Sequence, residues 1–172
     1  SENDYIRDFD VHVLTCGSDP TKMSKLNESA AYHGLSVTNV FHASLDTWHG
    51  GTMEGPGGGQ KINLILRQLQ DLPDHDVVLF TDAYDCFYAM ELDAIVGRFL
   101  GFKHEIVFSA ESHLWPDQNV SFPPTHTKYR YLNSGTFIGR VGELKRFLQP
   151  VEDSSDDQLF MQKQFLTGRY NA

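Results

Sequence analysis

The stretch Val77-Val78-Leu79-Phe80-Thr81-Asp82-Ala83-Tyr84-Asp85 decides the fold prediction, because a run of large apolar residues leads directly into two acids three positions apart. A continuous apolar run of this length is typical of a buried strand in a mainly parallel sheet. In open α/β sheets, binding and catalytic groups collect just beyond the carboxyl ends of the strands. We therefore expect Asp82 and Asp85 to lie at a functional edge of the sheet.

Strands and helices alternate along the rest of the chain. Hydrophobic patterning predicts further strands over 10–15, 35–41, 105–111 and 129–139, the last of them broken around 133–135. Helical spacing of apolar residues predicts helices after Pro20, after Gly59, and around 92–100, 144–148 and 159–165. This alternation predicts an α/β fold with a mainly parallel, mixed sheet, helices on both of its faces, and residues 1–172 as a single domain.

The composition excludes several classes of partner. The chain has 172 residues and a formal net charge of −9, with 40% hydrophobic and 22% charged residues. Binding to a nucleic-acid backbone needs a basic face, so we expect no nucleic-acid partner. No apolar run approaches the roughly 20 residues of a membrane-spanning helix, so we expect no transmembrane segment. Cys16 and Cys86 are too few for a disulfide framework, and the sequence leaves their pairing open.

Asp82 and Asp85 follow the buried strand in a turn, where two carboxylates can aim at a common point. Their hard oxygen atoms suit Mg²⁺ or Mn²⁺, which share their coordination readily with substrate phosphates. The alternative is a capped turn, in which the carboxylates accept backbone N–H groups. Tyr84 lies between the two acids and could stack on a nucleobase, with an ordinary packed tyrosine as the alternative.

A glycine-rich segment over 50–59 leads into the predicted helix that contains Lys61. It matches neither the Gly-x-Gly-x-x-Gly pattern nor the P-loop pattern. Gly58 and Gly59 nevertheless precede a helix N-terminus, where N–H groups favour anions, and Lys61 adds a positive charge. The alternative is a flexible loop with a solvated lysine.

Asp156 and Asp157 stand at the start of the last predicted helix, where acids complement the helix dipole. Helix capping by itself explains such a pair. Glu111 at a strand end and Asn133-Ser134-Gly135 at a strand break are weaker pointers of the same kind. The eight histidines show no spacing that is typical of a zinc site.

Taken in order, five segments resemble the glycosyltransferase domain of the procollagen lysyl hydroxylase family, with similar spacing from about Val11 to Phe165. The segments are Gly57-Gly58-Gly59-Gln60-Lys61, Leu79-Phe80-Thr81-Asp82-Ala83-Tyr84-Asp85, Val107-Phe108-Ser109-Ala110-Glu111, Asn133-Ser134-Gly135-Thr136-Phe137-Ile138-Gly139 and Asp156-Asp157-Gln158-Leu159-Phe160. The resemblance implies a GT-A fold, which is Rossmann-like, with Mn²⁺ as cofactor and UDP-glucose or UDP-galactose as donor. It implies transfer of the hexose to hydroxylysine or galactosyl-hydroxylysine of collagen-like or other glycosylated acceptor proteins. The implied location is the secretory pathway, in the lumen of the endoplasmic reticulum.

The resemblance also implies roles for individual residues. Asp82 and Asp85 are expected to bind the metal together with the UDP diphosphate, and Tyr84 is expected to stack on uracil. Thr15, at the end of the first strand, is expected beside the uridine. Trp48 is expected in a loop that covers the site.

Three further residues acquire roles from the resemblance. Lys61 is expected to contact the phosphates. Asp156 and Asp157 are expected near the sugar and the acceptor, to orient or deprotonate the attacking hydroxyl or to stabilise positive charge on the sugar ring. The third metal ligand of the family, a histidine near the end of the domain, is expected beyond Ala172, so we expect the domain to be C-terminally incomplete.

Two other functions stay open at this point. A metal-dependent phosphohydrolase also places an aspartate after a buried strand, but its usual pattern is Asp-x-Asp rather than Asp-x-x-Asp. A non-catalytic domain of the same fold would bind a sugar or a nucleotide without turnover.

Overall fold

The computed structural model of the protein describes residues 8–50 and 57–167. The strands are β1 (Val11–Thr15), β2 (Val37–Asn39), β3 (Val77–Thr81), β4 (Ile106–Glu111) and β5 (Tyr131–Arg140). The helices are α1 (Ser24–Tyr32), α2 (Gly59–Leu69), α3 (Leu92–Phe102), α4 (Val141–Phe147) and α5 (Asp157–Leu166). Residues 51–56 of the predicted glycine-rich loop lie outside the described residues. Within the described ranges, no helix has the length and apolar character needed to cross a membrane.

The strands form a five-stranded sheet in the order β2-β1-β3-β5-β4. β1 pairs in parallel with β2 and β3, whereas β5 pairs antiparallel with β3 and β4. β5 therefore runs against the other strands, and the predicted α/β fold with a mainly parallel, mixed sheet is confirmed. β3 lies in the middle, and every residue from Val77 to Thr81 is buried, as its apolar run predicts.

The side chains of β3 alternate between two hydrophobic cores, one on each face of the sheet. Val78 and Phe80 pack into a core with residues of α2, α4 and α5. Val77 and Leu79 pack into a second core with residues of α1 and α3. The alternation follows from the two-residue period of a strand. Helices therefore cover both faces of the sheet, as the sequence predicts.

Helix α2 packs its apolar stripe against the first of these cores. Ile62, Ile65 and Leu69 recur at helical spacing, and each is 0% exposed. Burying an aliphatic side chain of this size contributes about 1.5–3 kcal/mol. This packing holds the first turn of α2 at the carboxyl end of β3, where Lys61 reaches Asp82.

Several predicted boundaries differ from the structure by a few residues, and two of these differences have a local cause. β2 spans Val37–Asn39 rather than 35–41, because the N–H of Leu35 bonds the carbonyl of Ala30 at the end of α1. The helix predicted after Pro20 begins at Ser24, since the residues between them form a turn.

The predicted break in the last strand is present as a shift of register. At Ser109 the pairing of β4 with β5 jumps, so that Ser109 lies opposite Asn133. Residues 134–136 are skipped in the pairing with β4, and such irregularities bend a strand and redirect its side chains. The N–H of Asp82 donates to the carbonyl of Gly135 at 2.7 Å. The break therefore lies directly beside the acids that follow β3.

Candidate functional site

An acidic cluster around one lysine lies at the carboxyl end of β3. The Lys61 ammonium is 3.0 Å from Asp82 Oδ1 and 2.5 Å from Asp157 Oδ2. Lys61 comes from the first turn of α2, Asp82 follows β3, and Asp157 is the first residue of α5. The fold thus brings together three of the site residues that the sequence predicts.

The carboxylates keep Lys61 charged within this cluster. Its side chain is only 12% exposed, and burial by itself lowers the pKa of a lysine. Asp82 and Asp157 outweigh this effect and hold the pKa of Lys61 above its ordinary value. Burial raises the pKa of Asp82, and Lys61 opposes that rise. The solvated lysine that the sequence left open is therefore replaced by a buried ammonium between two carboxyl groups.

The turn after β3 supplies two carboxylates, from Asp82 and from the exposed Asp85. Within residues 8–50 and 57–167, no three His, Cys, Asp or Glu side chains converge where they could hold a metal ion. A site for Mg²⁺ or Mn²⁺ does not need three, because one or two carboxylates and substrate phosphates suffice. A Cβ at Gly135 would lie 2.9 Å from Asp82 Oδ2, so glycine leaves room beside that oxygen. This donor set fits a divalent cation shared with a diphosphate.

The neighbouring acids Asp156 and Asp157 have different partners. Asp156 is the N-cap of α5, and its Oδ1 accepts the N–H of Leu159 at 2.8 Å. Burial raises the pKa of Asp156. Asp157 contacts β5 instead, where its Oδ2 accepts the Ser134 hydroxyl at 2.6 Å. Helix capping therefore accounts for Asp156, whereas Asp157 belongs to the cluster around Lys61.

Tyr84 and Trp48 form an aromatic pair at the same edge of the sheet. Their ring centroids are 6.4 Å apart, with the rings tilted by 53°. The Tyr84 hydroxyl accepts the N–H groups of Ser18 and Asp19 at 2.9 and 3.1 Å, which anchors the ring beside the loop after β1. Trp48 is 37% exposed. A partly exposed aromatic surface of this kind can stack on a planar base.

Thr15 lies at the end of β1 with its side chain turned inward. The residue is 1% exposed, and its Oγ1 donates to the carbonyl of Thr81 at 2.7 Å. This bond ties the end of β1 to the end of β3. The Thr15 side chain therefore supports the edge of the sheet at which the acids lie.

Two glutamines of this site were not predicted from the sequence. Gln158 donates to Glu111 Oε1 at 2.7 Å and accepts the N–H of Ser134 at 3.2 Å, so it links Glu111 to the break in β5. Gln60 is buried and bonds the backbone on both sides of Trp48. Each glutamine lies within one of the segments that carry the family resemblance, and this is the signal that could have found them.

Gly58 is expected to tolerate no side chain. Its φ of 97° lies in the left-handed region, and a Cβ there would collide with the Asp157 carboxylate. We expect Gly58→Ala to destabilise the protein by about 1–3 kcal/mol, measured by thermal unfolding. Gly97→Ala is the matched control, because a Cβ at this position in α3 has nothing within 4 Å. An unchanged melting temperature for Gly58→Ala would contradict this account of the turn.

The open mixed sheet, with acids beyond its central strand, belongs to a known class of domain, the glycosyltransferase domains. The chain belongs to the family described as the PLOD GT domain, which matches residues 7–171. The family resemblance predicted from five segments is thereby confirmed.

Known relatives are longer proteins that contain a region similar to this chain. A procollagen-lysine,2-oxoglutarate 5-dioxygenase of Drosophila melanogaster is 36% identical over 163 residues, which cover 91% of this chain and 22% of the relative. The procollagen-lysine,2-oxoglutarate 5-dioxygenase 2 of Homo sapiens shows the same identity and coverage. The multifunctional procollagen lysine hydroxylase and glycosyltransferase of Caenorhabditis elegans is 34% identical over 160 residues, 86% of this chain and 21% of the relative. The chain thus spans about a fifth of the length of these relatives.

Proposed function

We propose that the domain transfers galactose or glucose from a UDP-sugar to hydroxylysine or galactosyl-hydroxylysine of collagen-like acceptors. The observation that carries this proposal is the Lys61 ammonium, which joins the acid beyond β3 to the acid at the start of α5. Donor and acceptor must meet at one anomeric carbon, so the groups that act on each need to lie close together. The Caenorhabditis elegans relative is named as a hydroxylase and glycosyltransferase, and this name supports glycosyl transfer as the reaction class. The family resemblance supports a location in the lumen of the endoplasmic reticulum.

Asp82 and Asp85 are proposed to hold Mn²⁺ together with the diphosphate of the donor. The metal, when bound, would neutralise the negative charge that develops on the departing UDP. Lys61 is proposed to contact the same phosphates, because its ammonium lies against Asp82 and charge-assisted hydrogen bonds to phosphate are strong. The two carboxylates and the ammonium together form the part of the site that binds the leaving group.

The aromatic pair is proposed to bind the uracil base. The Tyr84 hydroxyl is engaged by the loop after β1, and the Lys22 ammonium lies over the ring, 5.6 Å from its centroid, so a base is proposed to contact the ring rather than the hydroxyl. Trp48 lies next to this ring and is partly exposed. Thr15 supports the same edge by tying β1 to β3, which agrees with a uridine site beside the end of β1.

Asp157 is proposed to act on the acceptor. In the transfer, the bond between the anomeric carbon and the UDP oxygen breaks, and a bond from the acceptor oxygen to that carbon forms. A carboxylate beside the acceptor hydroxyl orients it or takes its proton, or stabilises positive charge on the sugar ring. Asp156, the second acid that the resemblance implies, caps α5 and so holds the segment on which Asp157 lies.

Calorimetric titration of UDP with and without Mn²⁺ tests the proposal. We expect Mn²⁺ to tighten UDP binding by about tenfold or more, which corresponds to about 1.4 kcal/mol. The double variant Asp82→Ala/Asp85→Ala is expected to lose this gain, because no carboxylate then holds the cation. Asp71→Ala/Asp74→Ala is the matched control, since it removes the same charge from exposed residues that precede β3.

The metal assignment is wrong if Mn²⁺ leaves UDP affinity unchanged, or if the double variant keeps the full gain. Hydrolysis of UDP-glucose and UDP-galactose, measured side by side, then decides the donor sugar. Binding of both without turnover would favour a non-catalytic nucleotide-sugar domain over a transferase.

A further inference from the structure

The buried side chain of Gln60 holds the backbone on both sides of Trp48. Gln60 is 6% exposed and lies in the first turn of α2. Its Oε1 accepts the N–H of His49 at 2.7 Å, and its Nε2 donates to the carbonyl of Thr47 at 2.6 Å. Both ends of the amide are therefore used, as a buried amide requires, and both are used on the same short segment.

A second residue of α2 holds the same segment, which comprises residues 42–49 and is called the strap here. Arg67 lies seven residues after Gln60, two turns along the helix and on the same face. Its guanidinium donates to both carboxylate oxygens of Asp46, at 2.8 and 2.9 Å. These bonds lower the pKa of Asp46 to about 2. The strap is thus attached to α2 near its middle by Arg67 and at its end by Gln60.

The end of the strap that Gln60 holds carries the aromatic ring beside Tyr84. Trp48 packs edge-on against Phe41, with ring centroids 5.3 Å apart, and its centroid is 6.4 Å from that of Tyr84. The Trp48 residue is 37% exposed, so packing covers only part of the indole. The two hydrogen bonds of the Gln60 side-chain amide fix the backbone from which the indole projects.

We propose that Gln60 is a positioning residue for nucleotide binding. The two hydrogen bonds of its side-chain amide hold Trp48 beside Tyr84 before a ligand binds. The inference rests on the proposed function, in which these two rings bind the base. A ring that is already ordered loses less conformational freedom on binding, so the affinity is higher. Gln60 and Lys61 are consecutive in α2, so one helical turn positions the aromatic pair and also supplies the ammonium of the acidic cluster.

The test compares Gln60→Met with Gln70→Met in the 172-residue chain. Methionine is similar in length to glutamine but cannot make either of the two side-chain hydrogen bonds. Gln70 is an exposed residue at the end of α2, so the same change there leaves the strap intact. For Gln60→Met we expect UDP binding weaker by about tenfold, and for Gln70→Met we expect unchanged affinity.

A fluorescence measurement reports on Trp48 without any ligand. The chain has two tryptophans, so the Trp115→Phe background leaves Trp48 as the single indole. In this background we expect Gln60→Met to increase acrylamide quenching and to lower fluorescence anisotropy. Gln60→Asn keeps the amide but is one methylene shorter, so it cannot reach both His49 and Thr47, and an intermediate loss of UDP affinity is expected. If Gln60→Met fails to fold, this second variant is used for both the UDP titration and the fluorescence measurement.

The outcomes separate this inference from the proposed function. If the unmodified chain binds UDP and both Gln60 variants bind it equally well, with Trp48 fluorescence unchanged, Gln60 has no positioning role. If the unmodified chain binds no UDP, the proposed function is wrong. The role of Gln60 in nucleotide binding is then wrong too, even if its substitution makes Trp48 more mobile. Weaker binding together with a loosened Trp48, seen in the Gln60 variants and absent in Gln70→Met, supports the inference.

Discussion

Replacing Lys61 with methionine is expected to lower the free energy of unfolding by about 2 kcal/mol at neutral pH, because two partly buried carboxylates then lose their opposite charge; partial exposure of Asp82 keeps the loss below that of a fully buried pair. Asp82 and Asp157 both rely on this ammonium, at 3.0 and 2.5 Å. Urea unfolding at constant m-value measures the loss. Lys61→Arg keeps the charge and is expected to lose less. Lys22→Met removes an exposed lysine whose ammonium lies 5.6 Å from the centroid of the Tyr84 ring, at the same end of the molecule, and is expected to change stability by less than about 1 kcal/mol.

The pH dependence of this loss separates charge from packing. Burial already raises the pKa of Asp82, and Lys61 provides the main opposing influence. A carboxyl group whose folded-state pKa exceeds its unfolded-state value destabilises the fold when ionised. The penalty is full above the folded-state pKa and disappears as the pH falls below the unfolded-state value. The stability gap between Lys61→Met and the unmodified chain should therefore narrow from neutral pH toward about pH 4. An equal gap at both pH values would show that the loss comes from packing of the lysine stem.

Asp157→Asn is expected to lower the transfer rate by about 100-fold or more, because an amide cannot accept the proton of the attacking hydroxyl. The substitution removes one carboxylate from Lys61 but leaves Asp82 beside it at 3.0 Å, and it keeps an oxygen for the Ser134 hydroxyl, which donates to Asp157 Oδ2 at 2.6 Å, so the fold is expected to persist. The rate is measured with UDP-glucose and UDP-galactose and a galactosyl-hydroxylysine or hydroxylysine peptide. UDP affinity, measured in parallel, should change far less than the rate.

Asp156→Asn is the matched variant for this prediction. Asparagine caps helices about as well as aspartate, and the structure assigns the Asp156 carboxylate to the N–H of Leu159. We therefore expect Asp156→Asn to keep most of the transfer rate. An equal loss of transfer rate in both variants would show that both acids take part in catalysis. A loss in Asp156→Asn only would show that Asp156, and not Asp157, acts on the acceptor.

Short-range patterns were sufficient to predict the elements that carry this site. The run from Val77 to Phe80 has no polar residue, so it predicts a strand buried on both faces wherever it lies in the fold. The 3.6-residue spacing of Ile62, Ile65 and Leu69 likewise predicts one buried face of α2. The point at which the apolar run stops places Asp82 at the end of β3. Each of these features depends on residues close together in the chain.

Contacts between distant segments account for what these patterns left open. From the sequence, Lys61 could equally be a solvated side chain. In the structure its side chain is largely buried, because α2, β3 and α5 converge on one edge of the sheet. Two consecutive acids look alike in a sequence, but the start of α5 turns Asp156 to its own backbone and Asp157 to Lys61. The bonds of Gln60 to the strap follow no period along the chain. Such pairings exist only once the fold has brought the segments together, and this is why they could not be predicted from local pattern.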